Sequence, residues 1–185
     1  MSNVFFTSDL HLGHRLAAEM RGFSSVAKHD DAVIESLQLL KKRDVLWVMG
    51  DVAMSHEGLL RFGAEVGCTK NLIFGNHDQF PLEEYAREFT NLHGFRRYKQ
   101  MWLSHCPIHP QEMYRCRANI HGHIHKGGDS PVLPFPYINV NWDFWQRPLP
   151  LEEILHMIAL GEEERDAERA TLADDLAGMW GMEEQ

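Results

Sequence analysis

Five short segments of the chain carry side chains that bind metal ions. In order they are Asp9-Leu10-His11, Gly50-Asp51, Gly75-Asn76-His77-Asp78, His105, and Gly122-His123-Ile124-His125. Carboxylate, amide and imidazole ligands without thiolate favour Mn, Fe, Co, Ni or Zn. If the segments converge, they supply two aspartates, one asparagine and four histidines, enough for two metal ions that share one carboxylate. Twelve histidines among 185 residues also favour metal ligation over scattered surface histidines.

Buried strands are predicted immediately before the first three segments. Val4-Phe5-Phe6, Val45-Leu46-Trp47-Val48 and Leu72-Ile73-Phe74 are short apolar runs, as expected for strands of a parallel sheet. Helices predicted over residues 30–42 and 56–65 separate them, so strand and helix alternate. Ligands of such sheets bind at the carboxyl ends of the strands. The three segments are therefore expected at one edge of the sheet.

The second half of the chain predicts a more antiparallel or mixed sheet with few helices. Strands are expected at 101–104, 118–120 and 137–140, and a helix is expected over 151–160 with Gly161 at its end. In an extended segment, residues i and i+2 point to the same side. Asp9 with His11, and His123 with His125, would therefore each aim two ligands at one place.

The five segments resemble those of the calcineurin-like metallophosphoesterase superfamily, whose pattern is D-x-H, G-D, G-N-H-[DE], a lone H and G-H-x-H. The resemblance covers residues 7–125, about two-thirds of the chain. The stretch from Asn139 to Pro148 also resembles the closing strand of small bacterial and phage members. The resemblance implies an α/β fold, a four-layer α/β/β/α sandwich of two mixed sheets flanked by helices.

The resemblance also implies a role for each residue. Asp9, His11 and His125 would hold one metal ion, Asn76, His105 and His123 would hold the other, and Asp51 would bridge them. His77 would bind no metal, and would protonate the leaving oxygen or stabilise charge on it. Two divalent ions are expected as cofactors, with Mn favoured and Fe, Ni, Co or Zn as alternatives.

Several neighbouring residues have two interpretations. Asp78 could orient His77 or cap a helix that starts near Pro81, and the cap is slightly favoured. The loop residues His14 and Arg21 could contact substrate or be solvated. For the remaining neighbours a structural role is favoured. Arg115 and Arg117 are expected in a solvated loop, Cys106 is expected to be a packed thiol, and His121 is expected at most to support the ligands.

Composition limits the setting of the protein. A domain over residues 1–161 and an acidic, helical tail over 162–185 are expected, because nine acidic and two basic residues follow Gly161 in a chain of net charge -9. The tail could mediate an oligomer. No long apolar run, no secretory signal and no disulfide framework from three cysteines is evident. A cytoplasmic protein without membrane contact is therefore predicted.

Together these features predict a phosphodiesterase that hydrolyses a small-molecule or short-nucleotide phosphoester, with a metal-bound hydroxide as nucleophile and His77 assisting the leaving group. No basic stripe is present, so long nucleic acid is not expected as a partner. The alternative is a catalytically inactive metal-binding scaffold of the same fold. The complete ligand set favours the enzyme.

Overall fold

The first sheet contains the strands that precede the early metal-binding segments. The computed structural model describes residues 2–127 and 131–181, with side chains as far as residue 172. The five strands of this sheet are β1 (Val4–Thr7), β2 (Val45–Val48), β3 (Thr69–Ile73), β4 (Asn91–His93) and β9 (Leu149–Pro150), in the order β4-β3-β2-β1-β9. Strands β1 to β4 are parallel, and β9 runs antiparallel to β1.

The second sheet is also mixed. Its strands are β5 (Arg96–Tyr98), β6 (Met101–Leu103), β7 (Ala118–His121) and β8 (Tyr137–Asn139). They lie in chain order, with β5 antiparallel to β6 and the other neighbours parallel. Of the two arrangements predicted for the second half, the mixed sheet is confirmed and the more antiparallel one is not, because β6, β7 and β8 are parallel. The short strands β4, β5 and β9 were not predicted.

Helices connect and flank the sheets. They are α1 (Arg15–Met20), α2 (Val26–Gln38), α3 (His56–Glu65), α4 (Leu82–Glu88), α5 (Trp142–Trp145) and α6 (Leu151–Gly181). Helix α3 has its predicted bounds. Helix α2 begins four residues before its predicted start, because the Ser25 hydroxyl caps it by accepting from the Lys28 N–H. It ends at Gln38 rather than at residue 42. The predicted apolar residues Val33, Ile34, Leu37 and Leu40 are all buried, although Leu40 lies beyond the helix end.

Two hydrophobic cores hold these layers together. Alternate residues of β2 face opposite sides: Leu46 and Val48 pack in the core with α2, α3 and α4, and Trp47 packs in the core between the sheets. Met101 and Ile120 of the second sheet complete the inner core, to which Ile154 and Ile158 of α6 also belong. The predicted fold class, two mixed sheets flanked by helices, is confirmed.

The C-terminal helix was predicted too short. Gly161 does not end it, because α6 continues to Gly181. A Cβ at Gly161 would overlap the ring of Phe135, so glycine allows close packing here rather than termination. The sequence also predicts a narrow apolar stripe of Leu172, Leu176 and Met179 on this helix. Leu172 is exposed, and Leu176 and Met179 lie outside the described side chains.

The stretch predicted as a closing strand is not one strand. Strand β8 ends at Asn139, α5 occupies residues 142–145, and β9 follows at 149–150. The Asn141 side chain accepts from the Asp143 N–H and caps α5, which redirects the chain. Within the described residues, no helix is both long enough and apolar enough to cross a membrane.

The division at residue 161 remains a prediction, and truncation tests it. A chain ending at Gly161 loses the ion pair of Glu162 with Arg117, whose nearest atoms lie 2.7 Å apart. Both side chains are partly exposed, so the pair stabilises little. We expect the truncated chain to bind metal and keep turnover, with at most a small fall in the melting temperature. A folded, metal-bound chain without turnover would contradict this.

Candidate metal centre

All seven predicted ligands converge at the carboxyl ends of the strands. Asp9 and His11 follow β1, Asp51 follows β2 and Asn76 follows β3. From the second sheet, His105 follows β6, and His123 and His125 follow β7. The two sheets thus each supply part of the site, and the site lies where their ends meet.

One group of side chains comprises Asp9, His11 and His125. The His125 Nε2 lies 3.5 Å from Asp9 Oδ1, and the His11 Nε2 lies 3.8 Å from the same oxygen. The two Nε2 atoms are 3.3 Å apart. Three ligand atoms around one point could hold a metal ion.

A second group comprises Asn76, His105 and His123. The Asn76 Oδ1 lies 2.9 Å from His105 Nε2 and 3.0 Å from His123 Nδ1. The two histidine nitrogens are 3.2 Å apart. Asp51 lies between the groups, since its Oδ2 is 3.8 Å from His11 Nε2 and 3.4 Å from His105 Nε2.

Hydrogen bonds behind the rings determine which nitrogens face the centre as acceptors. The His105 Nδ1 lies 2.7 Å from the Met49 carbonyl oxygen, and the His125 Nδ1 lies 2.7 Å from Asp143 Oδ2. Both partners accept only, so each Nδ1 carries the proton, and in the neutral imidazole each Nε2 presents a lone pair. These lone pairs face the carboxylate oxygens of Asp51 and Asp9, which would repel them unless a cation lay between. The donor set therefore fits divalent metal ions.

Burial of the candidate ligands also favours a bound cation. It raises the pKa of Asp9 to about 6. Burial, together with the charge of Arg21, lowers the pKa of His11 to about 2. A buried carboxylate is costly unless it is paired. A cation would stabilise the Asp9 carboxylate, and the neutral His11 imidazole is the form that binds metal.

Comparison with known proteins agrees with this geometry. The model of the calcineurin-like phosphoesterase family matches residues 2–167. The chain belongs to this family. It is accordingly a metal-dependent phosphoester hydrolase. Among the residues just described, Asp9, His11 and His125 form one group that could hold a metal ion, and Asp9, Asp51 and His105 form another.

Phage proteins are among the relatives of this calcineurin-like phosphoesterase. It is 28% identical to the gene 66 protein of Mycobacterium phage D29, over 85% of this chain and 96% of the relative. It is 30% identical to the gene 66 protein of Mycobacterium phage L5, over 75% of this chain and 65% of that protein. A protein of unknown function from Aquifex aeolicus, AQ665, shares the fold, with a TM-score of 0.68 and 24% identity over 85% of this chain and 100% of its own.

The backbone around the ligands differs from the extended form that we assumed. Asp9, His11, Asp51 and His123 all have positive φ, between 51° and 66°. Left-handed turns, rather than strand alternation, therefore bring these side chains together. Gly75 permits the close approach of two such loops, because a Cβ there would overlap the Asp51 carboxylate.

Asp78 joins two of the loops and does not cap a helix. Its Oδ2 accepts the N–H groups of Gly75 and Asp51 at 2.8 and 2.9 Å, and its Oδ1 accepts that of Val52 at 2.9 Å. Helix α4 has Pro81 at its N-cap position and no side-chain cap. The helix cap that we favoured for Asp78 is therefore wrong, and its carboxylate instead fixes the Asp51 loop to the Asn76 loop.

Arg21 is neither solvated nor free to bind substrate. Its side chain is buried, pairs with Asp143 and donates to the carbonyl oxygens of Asp9 and Leu10. Asp143 in turn accepts from His125. Burial opposes ionisation of Asp143, but the hydrogen bond from His125 and the Arg21 charge outweigh it and lower the pKa to about 2.

Sequence reasoning missed Asp143 and Ser8. Ser8 donates its hydroxyl proton to Asp9 Oδ2 at 2.5 Å. Both residues support a candidate ligand without facing the centre themselves. Asp143 lies in the 139–148 stretch that we assigned to a closing strand, where it is the only carboxylate. This single carboxylate was the sequence signal that could have identified Asp143 as a residue of the site.

The other neighbours divide between site and surface. His14 lines the pocket beside His11. His121 is buried, and its Nδ1 lies 2.8 Å from the Gly122 carbonyl oxygen.

Cys106 is exposed rather than packed, and it lies close to His105 and His123. Arg117 forms an ion pair with Glu162. The interpretation of Arg117 as a solvated loop residue is therefore wrong.

We expect Asp143→Asn to weaken metal binding about 10–100-fold, the usual effect of losing a group that orients a histidine ligand. The asparagine keeps an oxygen acceptor for His125 but loses the negative charge. Competitive metal titration measures the affinity. Glu84→Gln is the matched control, because Glu84 bonds His56 Nδ1 at 2.6 Å outside the site. Equal affinities for both variants would contradict a role of Asp143 in positioning His125.

Proposed function

We propose that this phosphoesterase is a dinuclear phosphodiesterase that acts on a small-molecule or short-nucleotide ester. The observation that carries the proposal is the position of the Asp51 carboxylate between two groups of acceptor atoms, 3.8 Å from His11 Nε2 and 3.4 Å from His105 Nε2. A shared carboxylate at that position suits two cations, not one. Two-metal sites are typical of enzymes that displace a phosphate ester oxygen in line.

The proposed ligands fall into two sets. Asp9, His11 and His125 would hold the first ion, Asn76, His105 and His123 would hold the second, and Asp51 would serve both. Two bound divalent ions would supply charge that neutralises phosphate oxygens and lowers the pKa of water. The ligands contain oxygen and imidazole nitrogen without thiolate, so Mn is favoured, with Fe, Co, Ni or Zn as alternatives.

His77 is the proposed general acid. Its backbone N–H donates to Asp51 Oδ1 at 2.9 Å, which fixes the residue beside the bridging carboxylate. Its ring lies 5.8 Å from that of His11, between centroids, and lines the pocket next to the centre. From there a ring nitrogen can pass a proton to the leaving oxygen. General acid catalysis contributes about 10²–10⁴-fold.

An inactive scaffold of the same fold is the weaker candidate. A scaffold needs neither the complete set of acceptor atoms nor the supporting bonds of Ser8, Asp143 and Asp78. Buried carboxylates with raised pKa values destabilise a fold unless they bind something. These carboxylates therefore support a bound metal ion, and the supporting bonds favour the enzyme over the scaffold.

We expect manganese-loaded protein to contain about two ions per chain and to hydrolyse bis-p-nitrophenyl phosphate faster than p-nitrophenyl phosphate. The diester carries one charge fewer, and a diester site needs no group for a second phosphate charge. Elemental analysis and the release of nitrophenolate measure both. One ion or none at saturation would refute the dinuclear site, and faster monoester hydrolysis would refute the diesterase.

A further inference from the structure

A pocket of about 590 Å³ opens beside the candidate metal centre. Its lining includes His11, His77 and His125, residues of α1, and Trp142. Its volume is within the range of about 300–1,000 Å³ found for pockets that bind small organic ligands. The metal ions and one phosphate group would occupy only the part of this volume beside the histidines, so the remainder is available for another part of the substrate.

The part of the pocket formed by α1 has an exposed apolar wall. Leu16 and Met20 are 52% and 67% exposed, although both are large apolar side chains. They are four residues apart on α1 and thus lie on the same side of the helix. Exposed apolar surface that borders a site is characteristic of ligand contact. Buried Ala17 and Trp142 continue this wall into the pocket.

The pocket also has polar lining residues, which form its polar edge. Lys126 and Gln146 line it, and the Lys126 side chain forms no salt bridge among the described residues. Arg21 and Asp143 also line the pocket, but their charges are paired with each other. A ligand for this pocket therefore needs an apolar face for Leu16 and Met20 and hydrogen-bonding atoms for Lys126 and Gln146.

We propose that this pocket binds the leaving arm of the substrate and that the arm carries a nucleobase. A nucleobase has flat apolar faces and an edge of carbonyl and nitrogen atoms, whereas an alkyl chain has no such edge. The inference rests on the proposed phosphodiesterase function. His77 lies between the pocket and Asp51, so an arm in the pocket is next to the proposed general acid. Water supplies the oxygen that bonds to phosphorus, the P–O bond to the arm breaks, and the arm leaves as a nucleoside after accepting a proton.

Binding to the manganese-loaded full chain tests the pocket without relying on turnover. Calorimetry would compare thymidine 5′-monophosphate, hexyl phosphate and inorganic phosphate. We expect the nucleotide to bind at least 10-fold more tightly than phosphate, the lower end of what one apolar contact contributes to selectivity. The double variant Leu16→Ser/Met20→Ser should lose this preference. Leu60→Ser, which changes a leucine that is 60% exposed on α3, should retain it.

The polar edge of the pocket and the orientation of the substrate in it are tested separately. Lys126→Met should weaken binding of the nucleotide but not of hexyl phosphate. Methyl thymidine 5′-phosphate should yield thymidine, not thymidine 5′-monophosphate, if the nucleoside is the leaving arm. Equal binding of nucleotide and hexyl phosphate, no effect of the double variant, or release of the monophosphate would each overturn the inference. Loss of bis-p-nitrophenyl phosphate turnover with nucleotide preference intact would instead refute only the proposed diesterase.

Discussion

Asp51→Asn should lower turnover by more than 100-fold and release metal. Groups that only orient ligands contribute about 10–100-fold, and a carboxylate shared by two ions should contribute more. The asparagine can still accept the His77 N–H through its remaining oxygen, so the loop should persist while the charge is lost. Elemental analysis and bis-p-nitrophenyl phosphate turnover are the measurements.

Asp44→Asn is the matched control. Asp44 and Asp51 are both 2% exposed, and they lie just before and shortly after the same strand, β2. Asp44 accepts the N–H groups of Asn3 and Lys41 and is remote from the histidines. Its replacement should reduce the melting temperature and leave the metal content intact. If Asp51→Asn retained both ions, Asp51 would not be the bridge.

His77→Ala should keep both ions and lose activity in a way that depends on the leaving group. An alkoxide is a poor leaving group and needs the proton, so its hydrolysis should fall about 10²–10⁴-fold. Nitrophenolate leaves readily and needs little protonation, so hydrolysis of nitrophenyl esters should fall much less. The measurements are turnover on a methyl nucleoside diester and on bis-p-nitrophenyl phosphate, with metal content for each sample.

His123→Ala provides the contrast. His123 has its Nδ1 3.0 Å from Asn76 Oδ1 and 3.2 Å from His105 Nε2, so it should lose metal and fail on both esters. An equal loss on both esters for His77→Ala would indicate phosphate binding rather than proton donation. Loss of metal in that variant would make His77 a ligand.

The positions of the site residues were predictable because five ordered segments follow strands whose apolar runs are evident in the sequence. Val45–Val48 is such a run, and Asp51 follows it at the edge of the sheet. The contacts behind the ligands were not predictable, because they join distant parts of the chain. Asp143 reaches His125 and Arg21, and nothing in the local sequence around Asp143 specifies either partner.

Local signals also failed where packing outweighed them. A glycine such as Gly161 is typical of a helix end. Here, however, the ring of Phe135 requires a residue without a side chain, and the helix continues past Gly161. Asp78 has the spacing of a cap for the helix after Pro81, yet three N–H groups from the neighbouring loops bind its carboxylate. In both cases a partner distant in sequence determines the function of the residue.

Asp9, His11, Asp51 and His123 have positive φ angles. At these residues the needs of folding stability and of catalysis conflict. A non-glycine residue pays roughly 1–2 kcal/mol to adopt the left-handed conformation, and glycine adopts it freely. Replacing His11 with glycine should therefore relieve strain in the metal-free protein even as it removes a ligand. Selection for heat resistance alone, without selection for turnover, would be expected to erode this centre first.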